Sequence, residues 1–322
     1  MARRWIALAV PAIALAAGLF IPPLVSRSVV ADDEVVRWTM VDVSEGDRQG
    51  DAHLIEFATT TVLIDTGLED LARSRLLPVL EQRDVSRIDH LFISHAHRDH
   101  YGGLIVLADS GVELGTVYFH KPDPAICKRE VPWGCDAAEI DRYTSALRER
   151  GVRFGDAVNG MAVDVGSTAS LTVLYAYDGG PGSPLRNIDV NDTSLIMRLD
   201  VGDVSALFTG DLNRKFGTFL ASADLELRSR RLLKVPHHGA EGVAPNEFFA
   251  AVDPDYAFVP APRTLWCSER SQRVRGWLSE QDVRTYVNGL HGDVTIELLP
   301  GQPVSISTHS RGACEKQQAK RQ

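Results

Sequence analysis

Ile93-Ser94-His95-Ala96-His97-Arg98-Asp99-His100-Tyr101-Gly102-Gly103 is the stretch that decides what kind of chain this is. An apolar, β-prone run, His90–Ser94, delivers three imidazoles and a carboxylate within six residues. A divalent cation needs several nitrogen and oxygen donors aimed at one point, and a tight turn at a strand end can supply them. His95 and His97 can hold one ion while the adjacent Asp99-His100 pair holds a second. Gly102-Gly103 then lets the backbone pass close to the cluster before the next element. At this composition a His-x-His-x-Asp-His match arises by chance with a probability on the order of 10⁻³.

Two more segments have the form of a strand that ends on a donor. Phe208-Thr209-Gly210-Asp211 closes the run Val204–Thr209 on a carboxylate that could bridge two ions. Lys234-Val235-Pro236-His237-His238-Gly239 closes Leu232–Val235 on a histidine pair. Alone, each is an ordinary turn. Beside the first segment, each offers the ligands that a two-ion site still lacks.

The surrounding chain alternates short β-branched runs, from Val35–Val43 to Val294–Leu298, with helical patterns at Glu69–Gln82, Asp136–Arg150, Lys215–Ala223, Asn246–Ala251 and Ser271–Gln281. Such a mixture predicts two sheets, or one large one, flanked by helices. Lys121–Gly134 and Asp178–Asn191 are rich in Gly and Pro and are expected to be loops. No composition shift divides the chain after residue 35, so one domain is expected over residues 35–310, followed by a flexible basic tail at 311–322.

Bulk composition excludes some functions. With 322 residues, 44% of them hydrophobic, the chain can bury a sizeable core. Its net charge of −9 provides no general field for nucleic acid, whose binding rests on cations neutralising phosphates. Arg3-Arg4 precedes an uncharged apolar run, Trp5 to Val25, and small residues at Val29-Val30-Ala31. Residues 1–31 therefore suit a signal peptide or, if uncleaved, an N-terminal membrane anchor. Either places the remainder outside the cytoplasm: periplasmic, secreted, or anchored at the outer face of the cytoplasmic membrane. The four cysteines fit that setting. Cys127–Cys135 across a short Pro-rich loop, with Cys267–Cys314 as the remainder, is the expected pairing; four reduced thiols are the alternative.

Taken together, His-x-His-x-Asp-His, the Gly-Asp strand end and the later histidine resemble the metallo-β-lactamase superfamily. Val41-Asp42-Val43-Ser44-Glu45-Gly46-Asp47, Leu63-Ile64-Asp65-Thr66-Gly67, Asn191-Asp192-Thr193-Ser194-Leu195, Thr209-Gly210-Asp211 and Lys234 to Gly239 follow the order seen in the extracytoplasmic domain of ComEC-type competence proteins. The resemblance implies an α+β fold, an αββα sandwich of two mixed β-sheets flanked by helices. It implies two divalent ions, zinc by default with manganese or iron also compatible, held by His95, His97, Asp99, His100, Asp211 and His237. Asp99 and His238 would carry catalysis, Asn191 and His238 would touch substrate, and Asp65 would orient a ligating imidazole. His237 and His238 can exchange roles, because neighbours leaving a strand point to opposite sides unless the turn rotates one back. One departure is that Asn191 and Asp192 stand where many relatives have another histidine. A second is Cys267-Ser268-Glu269-Arg270, where a His-Pro segment is common.

The implied function is an extracytoplasmic hydrolase using a metal-bridging hydroxide. A phosphodiester, in DNA or a small molecule, is the first substrate class. A carbonyl substrate (lactone, thioester or β-lactam) is the alternative, and a non-catalytic metal-binding module is a third reading.

Overall fold

The structure, a computed structural model, describes residues 35–130, 134–177, 188–240 and 242–314. The expected signal or anchor, most of the Gly/Pro-rich stretch before Asn191, and the end of the basic tail lie outside these residues. No helix among the described residues is long and apolar enough to cross a membrane.

Two mixed sheets form. The first contains β1 (Val36–Met40), β2 (His53–Glu56), β3 (Thr61–Ile64), β4 (Arg87–Ile93), β5 (Glu113–Phe119), β6 (Arg153–Gly155), β14 (Val294–Leu298) and β15 (Ser305–Thr308). The second contains β7 (Ala162–Val163), β8 (Ser170–Tyr175), β9 (Ile196–Val201), β10 (Val204–Phe208), β11 (Arg230–Lys234), β12 (Tyr256–Val259) and β13 (Arg284–Val287). Their orders are β15-β14-β1-β2-β3-β4-β5-β6 and β13-β12-β11-β10-β9-β8-β7. Each has a parallel half, β3 to β6 in one and β10 to β13 in the other.

The pleat explains why the central strands are apolar on both faces. Phe92, Phe208, Leu232 and Phe258 share one core with Trp38, Met40 and Ile55. Their neighbours Leu91, Ile93, Leu207 and Leu233 join a second core with Leu71, Leu76, Leu104, Phe248 and Phe249 from helices. Trp38 is fully buried, its ring 4.8 Å from Phe208 and 4.7 Å from Phe258. Truncating a side chain of this size in such a core typically costs about 3–5 kcal/mol. This is the α+β sandwich expected from the sequence.

The stretch expected as a loop over Lys121–Gly134 instead holds a helix, Pro124–Glu130. Proline at its first position needs no amide hydrogen, and Asp123 accepts from Ala125 N at 2.7 Å, so two supposed loop residues start a helix. Both expected disulfides form, with Cα separations of 5.0 Å for Cys127–Cys135 and 5.4 Å for Cys267–Cys314. The second joins Cys314, which lies past the boundary expected at 310, to Cys267.

Candidate metal centre

Carboxyl ends of parallel strands converge at one edge of the sandwich, a usual place for a site in a sheet with parallel strands. β3 delivers Asp65, β4 delivers Ser94 and His95, β10 delivers Asp211, β11 delivers His237 and His238, and β12 delivers Pro260. Arg98–Tyr101 is a helical turn that carries Asp99 and His100. The glycine pair has the close-approach role its position suggests: a Cβ on Gly103 would lie 2.5 Å from Thr66 O.

Each of four imidazoles is held from outside. His100 Nδ1 donates to Asp65 Oδ2 at 2.8 Å, and Ser94 Oγ donates to the same oxygen at 2.8 Å. Ser94 Oγ, its hydrogen thus used, accepts from His95 Nδ1 at 3.0 Å. His97 Nε2 donates to Glu130 Oε2 at 2.7 Å, and His238 Nδ1 donates to the Pro260 carbonyl at 2.8 Å. A neutral imidazole has one hydrogen, so these partners leave His95 Nε2, His97 Nδ1, His100 Nε2 and His238 Nε2 as lone pairs facing inward. The inward nitrogens of His95 and His97 are 3.1 Å apart. Those of His100 and His238 are buried without a hydrogen bond, although Asp211 Oδ2 lies 3.3 and 3.2 Å from them. Asp99 Oδ2 is 3.3 Å from His238 Nε2. With the rings neutral, lone pairs and carboxylates face one another with no donor between them, so the cluster calls for a cation: a metal ion or, without one, a proton on the inward nitrogens of His100 and His238. Two overlapping donor groups meet that need, His95-His100-Asp211 and Asp99-His100-His238.

Burial works against protonating His100 and His238. Asp211, joined by Asp65 and Asp99 for His100 and by Asp51 for His238, outweighs it and raises both imidazoles well above their ordinary value. Burial keeps His95 well below it, with His100 and His97 adding to the effect. Burial would raise Asp99, but His100 and His238 prevail and bring it to about 2.

Under this cluster lies a buried ion pair that the sequence reading passed over. Lys234 Nζ contacts Asp51 Oδ2, donates to Gly210 O at 2.6 Å, and stands 3.4 Å from Asp211 Oδ1. Lys234 is 1% exposed and Asp51 fully buried. Asp51 also contributes to two donor groups, Asp51-Asp211-His238 and Asp51-Asp65-His100. The ammonium already neutralises its carboxylate, so these are poorer cation sites. Lys234 sits among apolar residues and looks like plain strand. Asp51 carries no local mark that sets it apart: of the two Gly-Asp pairs, Gly46-Asp47 is exposed and Gly50-Asp51 is buried. Gly50 accounts for this, since a Cβ there would lie 2.9 Å from Val43 O. Glu130 was hidden in the supposed loop.

The structure places the histidine pair differently from the order expected. His238, at 0% exposure, enters the donor cluster, whereas His237 Nδ1 lies 3.0 Å from Asn213 Oδ1. Strand alternation does not govern here. His237 (φ 49°, ψ 43°) and His238 (φ 52°, ψ 19°) are both left-handed, and Gly239 (φ 70°) continues the turn. That conformation costs roughly 1–2 kcal/mol per non-glycine residue, and the Pro260 bond helps hold it. His237 lines a cavity of about 720 Å³ with Asp189, Asp192, Asn213, Arg214 and Lys215. Asn191 is 8% exposed in the turn Asn191–Thr193, with Oδ1 lacking a hydrogen bond, and belongs to neither donor group.

A family model described as the metallo-beta-lactamase superfamily matches residues 46–261. ComE operon protein 3 of Bacillus subtilis is 24% identical over 294 residues, covering 86% of this chain and 34% of that protein. Competence protein ComA of Neisseria gonorrhoeae is 25% identical over 212 residues, 65% of this chain and 25% of that protein. Endoribonuclease ysh1 of Schizosaccharomyces pombe is 30% identical over 188 residues, 58% of this chain and 24% of that protein. The chain thus spans only a third or a quarter of these curated relatives. CmlA, a diiron beta-hydroxylase from Streptomyces venezuelae, shares the fold with a TM-score of 0.52 and 15% identity, covering 83% of this chain and 54% of that one.

Proposed function

The chain belongs to the metallo-beta-lactamase superfamily, and on that premise we propose that it is an extracytoplasmic metal-dependent hydrolase of phosphodiesters. The observation that carries this reading is the set of four imidazoles whose outer nitrogens are pinned by Ser94, Glu130, Asp65 and Pro260. His95, His97 and Asp211 would hold one divalent ion and Asp99, His100 and His238, with Asp211 again, a second; His97 joins through its inward nitrogen 3.1 Å from that of His95, and His100 belongs to both compact donor groups. The all nitrogen-and-oxygen donor set fits zinc, with manganese or iron also compatible. Two such ions supply activation of water and neutralisation of charge on the scissile oxygens.

The chain's own groups supply the rest. Asp65, Ser94, Glu130 and the Pro260 carbonyl fix ring orientation. Lys234 offsets the charge of Asp51 beneath the site. Asp99 is 20% exposed against 3% or less for His100, Asp211 and His238, so it lies towards the open side where a substrate arrives. His237, with Arg214 and Lys215 in the adjoining cavity, takes the substrate-facing place first expected of His238. The endoribonucleases and competence proteins among the relatives support a phosphodiester substrate. The paired cysteines and the apolar N-terminal run support export.

The test is turnover of bis(p-nitrophenyl) phosphate, a lactone panel and a β-lactam by zinc- or manganese-loaded protein. Phosphodiester hydrolysis that a chelator abolishes is expected. Turnover of a lactone or β-lactam with the phosphodiester untouched would refute the substrate class, and turnover unaffected by metal removal would refute the site.

A further inference from the structure

Among the groups that pin the imidazoles, Glu130 is the one delivered by a separate covalent loop. Its helix, Pro124–Glu130, begins just after β5, and Cys127 within it is bonded to Cys135. Both sulfur residues are 2% exposed and belong to the core. The loop they close reaches His97 from two directions. Glu130 Oε2 accepts from His97 Nε2 at 2.7 Å, while Gly134 lies against the ring so closely that a Cβ there would stand 2.8 Å from His97 Cδ2. Gly134 O also accepts from Arg98 N at 3.2 Å, fixing the backbone immediately after His97. The other carboxylate oxygen, Glu130 Oε1, accepts from Val190 N at 2.7 Å. That bond joins His97 to the segment just before Asn191, where no histidine is available to complete the first ion's ligands.

We propose that Glu130 is a positioning residue for His97, and that the Cys127–Cys135 loop is the clamp that keeps His97 Nδ1 turned towards the first ion. The physical case is that a ring with one outer acceptor has a fixed tautomer and a fixed plane. His97 is partly exposed, 17% by side chain, so packing alone leaves it freer than His95 or His100. An ion with only two imidazoles and Asp211 from the protein depends correspondingly more on each ring's orientation. The inference rests on the metal reading of the site, but its first readout does not.

In metal-free, full-length protein, histidine ¹⁵N NMR is expected to show His97 as the Nε2–H tautomer, and Glu130→Ala is expected to lose that preference. In zinc-titrated protein, Glu130→Ala is expected to weaken binding of one ion about 10–100-fold. Glu130→Gln, which keeps an acceptor oxygen for Nε2–H, should recover part of the loss. Replacing Cys127 and Cys135 together by serine should weaken the same ion, whereas replacing Cys267 and Cys314 should not. A wild-type protein that takes up no zinc, yet shows the Glu130-dependent tautomer, would sink the metal reading while the assignment of Glu130 stands. An unchanged tautomer and unchanged affinity in Glu130→Ala would overturn the role of Glu130, and equal loss from both cysteine pairs would overturn that of the loop.

Discussion

Replacing Lys234 by methionine, similar in volume but uncharged, removes the cation beneath the metal centre. At 3.4 Å from Asp211 and an effective dielectric constant of 20, the lost attraction is about 5 kcal/mol before desolvation is counted. Asp51, in direct contact, loses a larger share, and Gly210 O loses its donor. The ammonium no longer has to be desolvated, which offsets part of this. The stranded carboxylate sets the net, and breaking one side of a buried pair typically costs about 3–5 kcal/mol. A drop in Tm of roughly 10 °C follows for a domain of this size. Asp51→Asn alone should also destabilise, because it strands the ammonium. The double variant should lose at least about 2 kcal/mol less than the sum of the singles. Urea and thermal unfolding of the four proteins, with chelator present and disulfides intact, measure the cycle. Additive losses, or a Lys234→Met variant within about 1 kcal/mol of wild type, would show that the pair does not bear the charge balance.

His238→Ala should lose one ion per chain and nearly all activity, whereas His237→Ala should keep the metal content and raise KM; elemental analysis with steady-state kinetics separates them, and reversed metal contents would restore the order first expected from the sequence. Burial, more than any charged neighbour, depresses His53 to about 3, and its Nδ1 accepts from Trp38 Nε1 at 3.3 Å. The unfolded chain therefore binds the extra proton first, and this contribution to stability is lost as pH falls below about 6.5, at up to about 1.4 kcal/mol per pH unit. His53→Gln should remove that component between about pH 6 and pH 4 in equilibrium unfolding, and an unaltered slope would count against it.

How much of this was legible depends on where the physical signal lies. Strands packed on both faces announce themselves by composition, as Thr61–Ile64 and Tyr256–Val259 do, and Val294–Leu298 does so by alternation, one face buried; their bounds come out as the sequence suggests. β6, β7, β13 and β15 do not, because they are short or sit at sheet edges, where Ser305 to Thr308 alternate weakly and half face solvent. The main histidine segment was legible because its donors are contiguous. Lys234 was not, since the charges that make it meaningful, Asp51 and Asp211, come from distant segments. The placement of the histidine pair escapes strand parity because two non-glycine residues turn left-handed, a conformation that tertiary contacts impose and local sequence does not announce.

The donors of the metal centre also bear on the order of events in folding. His95, Asp211 and His238 come from strands in two different sheets, far apart in the chain. No partial structure containing one sheet alone assembles them, and collecting the carboxylates before the other sheet arrives would expose like charges to one another. The centre therefore closes only once both sheets have met, and where that step follows the folding barrier it is absent from the transition state. Bound ions then act mainly on the lifetime of the native state: they slow unfolding and protect the closed sandwich from proteases, while leaving the rate of refolding nearly as it was.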